Sequence, residues 1–246
     1  MSERILSSVP PFLDGVYLGT NAIPDAYLVI DCPSGCFGKC ERIALNHDLG
    51  STLFDPMGKH RIVQSGINFA ELTMGSERAL GQLLHSVVEK TQPKALIMTQ
   101  ATSALLTSND LEALCLRYGA ELELPIVYLP PQTLEGDYVD GYEAFLEALV
   151  EALLPPASEP RAALEGVSLV GFLVHRLEED QRADLEELRR LVEALQLPLR
   201  GILLDGSPME TLAEALKAEA LIELPHAGQA ARRIAERTGA RVLEAA

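Results

Sequence analysis

The chain has 246 residues, 48% of them hydrophobic, with four cysteines, no Trp and a formal net charge of −16. That is enough apolar material for one large or two small domains, while the acidity argues against nucleic acid and anionic membranes, whose recognition needs Lys/Arg patches. An aromatic content of 5% also argues against reading bases by stacking. Four cysteines, three of them bunched, do not form a disulfide framework and point to a reducing cytoplasm. The N-terminal stretch Met1-Ser-Glu-Arg-Ile-Leu-Ser-Ser8 has no apolar h-region, and no run approaches the roughly 18 apolar residues of a membrane span.

The first strand signal, 27–31 (Tyr-Leu-Val-Ile-Asp), runs directly into Cys32-Pro-Ser-Gly-Cys36-Phe-Gly-Lys-Cys40. In open α/β sheets, loops at strand ends are where ligands bind. Thiolates are soft ligands suited to iron–sulfur clusters, zinc or Cu(I). Ser34, Gly35 and Gly38 let the backbone wrap closely around a bulky group. The C-x3-C-x3-C spacing is neither a ferredoxin run nor a zinc pair with a distant second pair. The plainer alternative is three thiols on a glycine-rich turn. Lys39, Arg42 and Lys59 add positive charge beside the thiols, which lowers thiol pKa. The fourth cysteine, Cys115, lies in an apolar helical stripe and reads as core.

Further strands are expected at 67–72, 95–99 and 125–129, with helices at 76–91, 109–119 and 138–154. The segment Pro155-Pro-Ala-Ser-Glu-Pro160 reads as a linker, and the pattern then restarts. Strands at 168–174, 200–204, 220–224 and 241–244 alternate with helices at 179–196, 208–218 and 227–238. The expectation is an α/β protein of two Rossmann-like domains, 1–156 and 162–246, with parallel sheets flanked by helices. No turn of the second half carries G-x-G-x-x-G or a P-loop, so neither a dinucleotide nor a nucleoside triphosphate is indicated there.

The segment Leu28-Val-Ile-Asp-Cys-Pro-Ser-Gly-Cys36 resembles the cluster-binding loop of the nitrogenase component 1 family, a strand ending in His-Gly-Pro-x-Gly-Cys. That family includes nitrogenase MoFe-protein subunits, their cofactor-assembly scaffolds and the dark-operative protochlorophyllide reductases. Cys36 falls on the family's cysteine, Asp31 on its usual His and Cys32 on its Gly. The stretches Asn68 to Leu80, Pro93 to Asp110, and Pro125 through Phe145 are similar to later family segments. Two other family cysteines are replaced, one near Pro10 and Pro11 and one by Thr102, while Cys32 and Cys40 are additional.

The resemblance implies an oxidoreductase subunit with a cluster at Cys36, and the bunched thiols add Cys32 and Cys40, so that the three together are expected to hold an iron–sulfur cluster of the 4Fe–4S type. Electrons would reach it from a reductase partner, and a homologous subunit would complete a homo- or hetero-oligomer. Three local thiolates leave a four-iron cluster one ligand short. The fourth would come from a partner chain, an exogenous ligand, His47 or His60. The alternatives are a non-catalytic metallocofactor scaffold, a small-ligand-binding protein of the same fold, or a zinc-stabilised loop. His85, on an amphipathic helix, reads as a surface or partner-facing residue; His175, at a strand end, and His226, before a helix, read as loop residues with no recognisable companion. The hydroxyls of Thr99, Thr102, Ser103, Thr107 and Ser108 suit helix capping more than anion binding.

Overall fold

Two four-stranded parallel sheets organise the chain, with strand order β2-β1-β3-β4 in the first and β6-β5-β7-β8 in the second. The computed structural model describes residues 12–34, 61–101, 104, 109–131, 136–154, 164–173 and 178–244. The first half runs α1 (Phe12–Asn21), β1 (Ala26–Asp31), β2 (Ile62–Gln64), α2 (Phe69–Met74), α3 (Glu77–Thr91), β3 (Ala95–Gln100), α4 (Leu111–Glu121), β4 (Ile126–Tyr128) and α5 (Tyr138–Leu153). The second runs β5 (Leu164–Val170), α6 (Glu178–Ala194), β6 (Leu199–Ile202), α7 (Met209–Ala215), β7 (Ala218–Glu223), α8 (Ala230–Thr238) and β8 (Arg241–Glu244). This is the α/β architecture expected, with helices on both faces of each sheet. The linker read at 155–160 lies outside the described residues.

The central strands β1 and β3 are buried at every position, as strands covered on both faces must be. Their period of two divides the core. Leu28, Ile30, Cys32, Ala95 and Ile97 face α1 and α5, whereas Tyr27, Val29, Leu96 and Met98 face α3 and α4. On α3 the buried residues Leu80, Leu84 and Val87 recur at helical spacing and complete that second layer. The first layer continues into the other half through Val170, Leu203, Met209, Leu212, Ala230 and Ile234, so one apolar core runs beneath both sheets.

Two expectations are corrected. Residues 67–72 do not form a strand: the edge strand is β2 at Ile62–Gln64, and the chain turns helical at Phe69. Asn68 decides this by accepting the Ala70 and Glu71 amides at 2.9 and 3.0 Å, while the Glu71 carboxylate accepts the Asn68 N–H at 2.9 Å. That capping box nucleates α2, and no residue of α2 is buried, so no core demanded a strand there. The strand expected at 168–174 instead spans Leu164–Val170 and stops at Gly171, whose φ is +98°. The helix α1 was not expected; Gly15 and Gly19 weaken its local signal, and packing makes it. No helix among the described residues is long and apolar enough to cross a membrane.

Candidate functional site

In the order β2-β1-β3-β4 the chain leaves β1 in one direction and β3 in the other, so the carboxyl ends of these two strands form the topological switch point at which open α/β sheets bind ligands. Asp31 and Cys32 stand at that edge beside Gln100 and Ala101, with the Ala101 N–H donating to Asp31 O at 2.9 Å. The corresponding edge of the second sheet is filled by its own turns. A Cβ added at Gly171 would lie 2.3 Å from the Ala227 nitrogen, so the turns after β5 and β7 touch. The first sheet therefore carries the candidate site.

Asp31 is fully buried and is the centre of a polar cluster. Its carboxylate accepts the Ser65 hydroxyl at 2.7 Å, the Ser76 hydroxyl at 3.3 Å and the Asn109 amide at 3.3 Å. Ser76 and Asn109 also bond each other, the Ser76 N–H donating to Asn109 Oδ1 at 3.1 Å. Three separate pieces of chain therefore meet on the one carboxylate that β1 carries. The donors from the described residues are all neutral, so hydrogen bonding and the N-terminal ends of α3 and α4 provide its favourable surroundings.

Cys32 follows Leu28 and Ile30 onto the core face and is completely buried. Its thiol donates to Gln64 Oε1 at 3.5 Å, and its N–H donates to Ser65 Oγ at 2.9 Å. Beyond it the chain stays against the segment after β2: Ser34 Oγ donates to Gly66 O at 2.8 Å, and the Ile67 N–H donates to Cys32 O at 3.0 Å. Thr99, on the same sheet face and in register with Ile30, has a buried hydroxyl with no hydrogen-bond partner among the described residues. Cys36 and Cys40, the other two predicted thiol ligands, lie outside the described residues, as do His47, His60, Thr102 and His175.

The remaining candidates fall away from this edge. Cys115 is buried against α3, and burial, then the Glu112 carboxylate, pushes its thiol up to about 12. A thiol so held stays protonated and is a core residue. His85 is exposed, bonded to Glu121 at 3.0 Å and set edge-on to Tyr118. His226 sits on the turn after β7, at the closed edge of the second sheet. Among the described residues no group of three or more His, Cys, Asp or Glu side chains is placed to hold a metal ion.

Gln64, Ser65, Ser76 and Asn109 were not singled out from sequence. Their one sequence-level signal is Asp31 itself, an acid closing an otherwise apolar strand, which in a buried position must find donors elsewhere in the chain.

Comparison with known proteins agrees with this frame. The family model described as nitrogenase component 1 type oxidoreductase matches residues 13–246. A light-independent protochlorophyllide reductase subunit from Heliobacterium modesticaldum is 24% identical over 217 residues, which cover 84% of this chain and 38% of that protein. The solved structure of nitrogenase Cp1 at pH 5 superposes with a TM-score of 0.73 at 14% identity, over 99% of this chain and 49% of the other. Its counterpart at pH 6.5 gives the same TM-score and identity over 47% of its length. The chain thus spans less than half the length of these relatives.

Proposed function

We propose a function from one premise, that the chain belongs to the nitrogenase component 1 type oxidoreductase family: it is an oxidoreductase subunit whose cysteine loop holds an iron–sulfur cluster. Cys32, Cys36 and Cys40 are the proposed ligands, and a 4Fe–4S cluster is the proposed form. The observation that carries the reading is that this loop leaves the carboxyl end of β1, at the switch point between β1 and β3. The donor set fits in kind, since thiolates are the ordinary ligands of such clusters. Bound there, a cluster supplies one-electron transfer at a potential tuned by hydrogen bonds and burial.

The chain's own residues set the conditions. Cys32 can ligate only as thiolate, so its proton must leave and its sulfur must give up Gln64 Oε1. Ser65 meanwhile holds the Cys32 backbone in place. The two sheets supply a rigid frame, which we propose divides into domains 1–156 and 162–246. A homologous subunit and a reductase are the proposed partners. The relatives' names attach oxidoreductase activity to longer proteins, so the substrate of a complex containing this chain stays with the proposal.

The same fold also suits a non-catalytic carrier that holds a metallocofactor and passes it on. One observation favours it: Gln64 Oε1 gives the Cys32 thiol a resting partner to return to when metal leaves. Reversible redox change separates the two readings, because a carrier need only release its cargo.

The deciding experiment is anaerobic purification with iron and acid-labile sulfide analysis, and EPR before and after dithionite. About four irons per chain or per shared site, with a signal appearing on reduction, supports the electron-transfer reading. Metal-free protein retires it. Within the same assay, Cys36→Ala is expected to abolish iron and visible absorption, and full iron retention by that variant overturns the ligand assignment.

A further inference from the structure

The polar cluster at the end of β1 connects two helix starts to one backbone amide. Ser76 occupies the N-cap position of α3 but makes no side-chain cap bond, because its hydroxyl is turned to Asp31. Capping the helix start is the ordinary local use of a serine at that position, and the cluster takes the hydroxyl instead. Asn109, immediately before the N-cap Asp110 of α4, reaches the same carboxylate. From there the connection runs one way. Asp31 Oδ1 accepts the Ser65 hydroxyl at 2.7 Å, and the Ser65 oxygen accepts the Cys32 N–H at 2.9 Å.

We infer that Asp31 is a positioning residue for the cysteine loop: through Ser65 it fixes the Cys32 backbone, and with it the direction in which the chain leaves β1. This rests on the iron–sulfur reading above. The chemistry explains why an acid stands here. A carboxylate is an acceptor at both oxygens, and three donors converge on it from the segment after β2 and from the starts of α3 and α4. An amide of the same shape would turn an N–H toward the Asn109 N–H and break the convergence. The positioning is thus a matter of donor and acceptor polarity, which a paired exchange can restore.

The test uses the full-length chain in Ser65→Ala, Asp31→Asn and the double variant Asp31→Asn with Asn109→Asp. Two readouts are taken: exchange of the Cys32 amide in metal-free, 15N-cysteine-labelled protein, and the EPR line shape of the iron-loaded, dithionite-reduced protein. Ser65→Ala is expected to speed Cys32 exchange about tenfold through one lost hydrogen bond. It should retain iron but alter the line shape. Asp31→Asn should do the same. The double variant should return both readouts toward wild type, because the amide introduced on β1 then donates to the carboxylate introduced before α4. Should Asp31→Asn fail to fold, Asn109→Ala, which removes one of the donors to the Asp31 carboxylate, takes its place in both readouts beside Ser65→Ala. Unchanged exchange overturns the inference, and so does faster exchange with an unchanged line shape, which marks a merely structural contact. If wild-type protein takes up no iron, the proposed function fails separately; exchange and its rescue then still decide whether Asp31 governs Cys32.

Discussion

Arg61 shows how much of this fold depends on single buried polar side chains. It is 1% exposed, and its guanidinium donates to the carbonyls of Thr20, Ile23 and Ala26 at 3.1, 2.8 and 2.7 Å and of Asn21 at 3.4 Å. These carbonyls lie at the end of α1 and in the turn into β1, where the helix leaves acceptors unfilled and its dipole is negative. Arg61 therefore acts as a C-terminal cap delivered from just before β2, a sequence distance no local pattern reveals. Arg61→Met strands several buried carbonyls and is expected to cost about 3 kcal/mol or more in urea unfolding. Arg61→Lys should recover little, because an ammonium cannot reach four acceptors in a fork. Asp31 is legible only in part for the same reason: the sequence shows an acid at a strand end, but its donors come from positions 65, 76 and 109. Cys32 reads from sequence as a loop thiol, yet the strand's alternation carries it one step further into the core.

At the scale of elements, α1 and α5 cross closely enough that glycine is obligatory at both. A Cβ at Gly141 would lie 1.9 Å from the Phe12 carbonyl oxygen, and one at Gly15 would lie 1.8 Å from that of Tyr138. Gly19 gives the Phe145 ring its place, 2.4 Å from where a Cβ would stand. In an exposed helix, glycine to alanine gains about 1 kcal/mol. Here backbone meets backbone, neither side can yield, and Gly141→Ala is expected to destabilise by about 2–3 kcal/mol. A stabilising result in thermal or urea unfolding would show that the two helices do not pack this closely. Most helices and strands were legible because their periodicity matches the faces they bury, as with Leu80, Leu84 and Val87 on α3. The segment 67–72 misled because most of its apolar surface is not core: Phe69 is 82% exposed, and the Asn68–Glu71 capping box sets its conformation.

Across the whole molecule, α5 joins the two halves. Arg233 of α8 pairs with Glu147 at 2.9 Å and with Glu151, the Gln229 N–H donates to Glu147 at 2.9 Å, and the Met209 N–H donates to Asp25 at 3.0 Å. Tyr142 also donates its hydroxyl to the Phe172 carbonyl. The partly exposed ion pairs contribute little individually, so the shared apolar core beneath both sheets carries most of this junction. Glu143 is the weak point. Burial first, then Asp140, Glu147 and Asp137, raise its carboxyl above the usual range. A raised acid costs stability wherever it is ionised, and that cost disappears as pH falls through its folded-state pKa. Glu143→Gln should therefore stabilise at pH 7, modestly because the side chain is partly exposed, and should lose that advantage near pH 3.5, roughly a unit below the ordinary carboxyl value. An equal advantage at both pH values in urea unfolding would place the effect elsewhere.

The sequence by itself determined the α/β class, the alternation of strands and helices, the cysteine loop after the first strand and the family likeness, because these follow from residue type and short-range period. Only the tertiary structure decided which strands are central, that the turns after β5 and β7 meet at Gly171 and Ala227, and what surrounds Asp31. It also decided that Cys32 rests against Gln64. Those outcomes depend on groups brought together from distant positions. Burial then makes each polar group find a partner, wherever in the chain that partner lies.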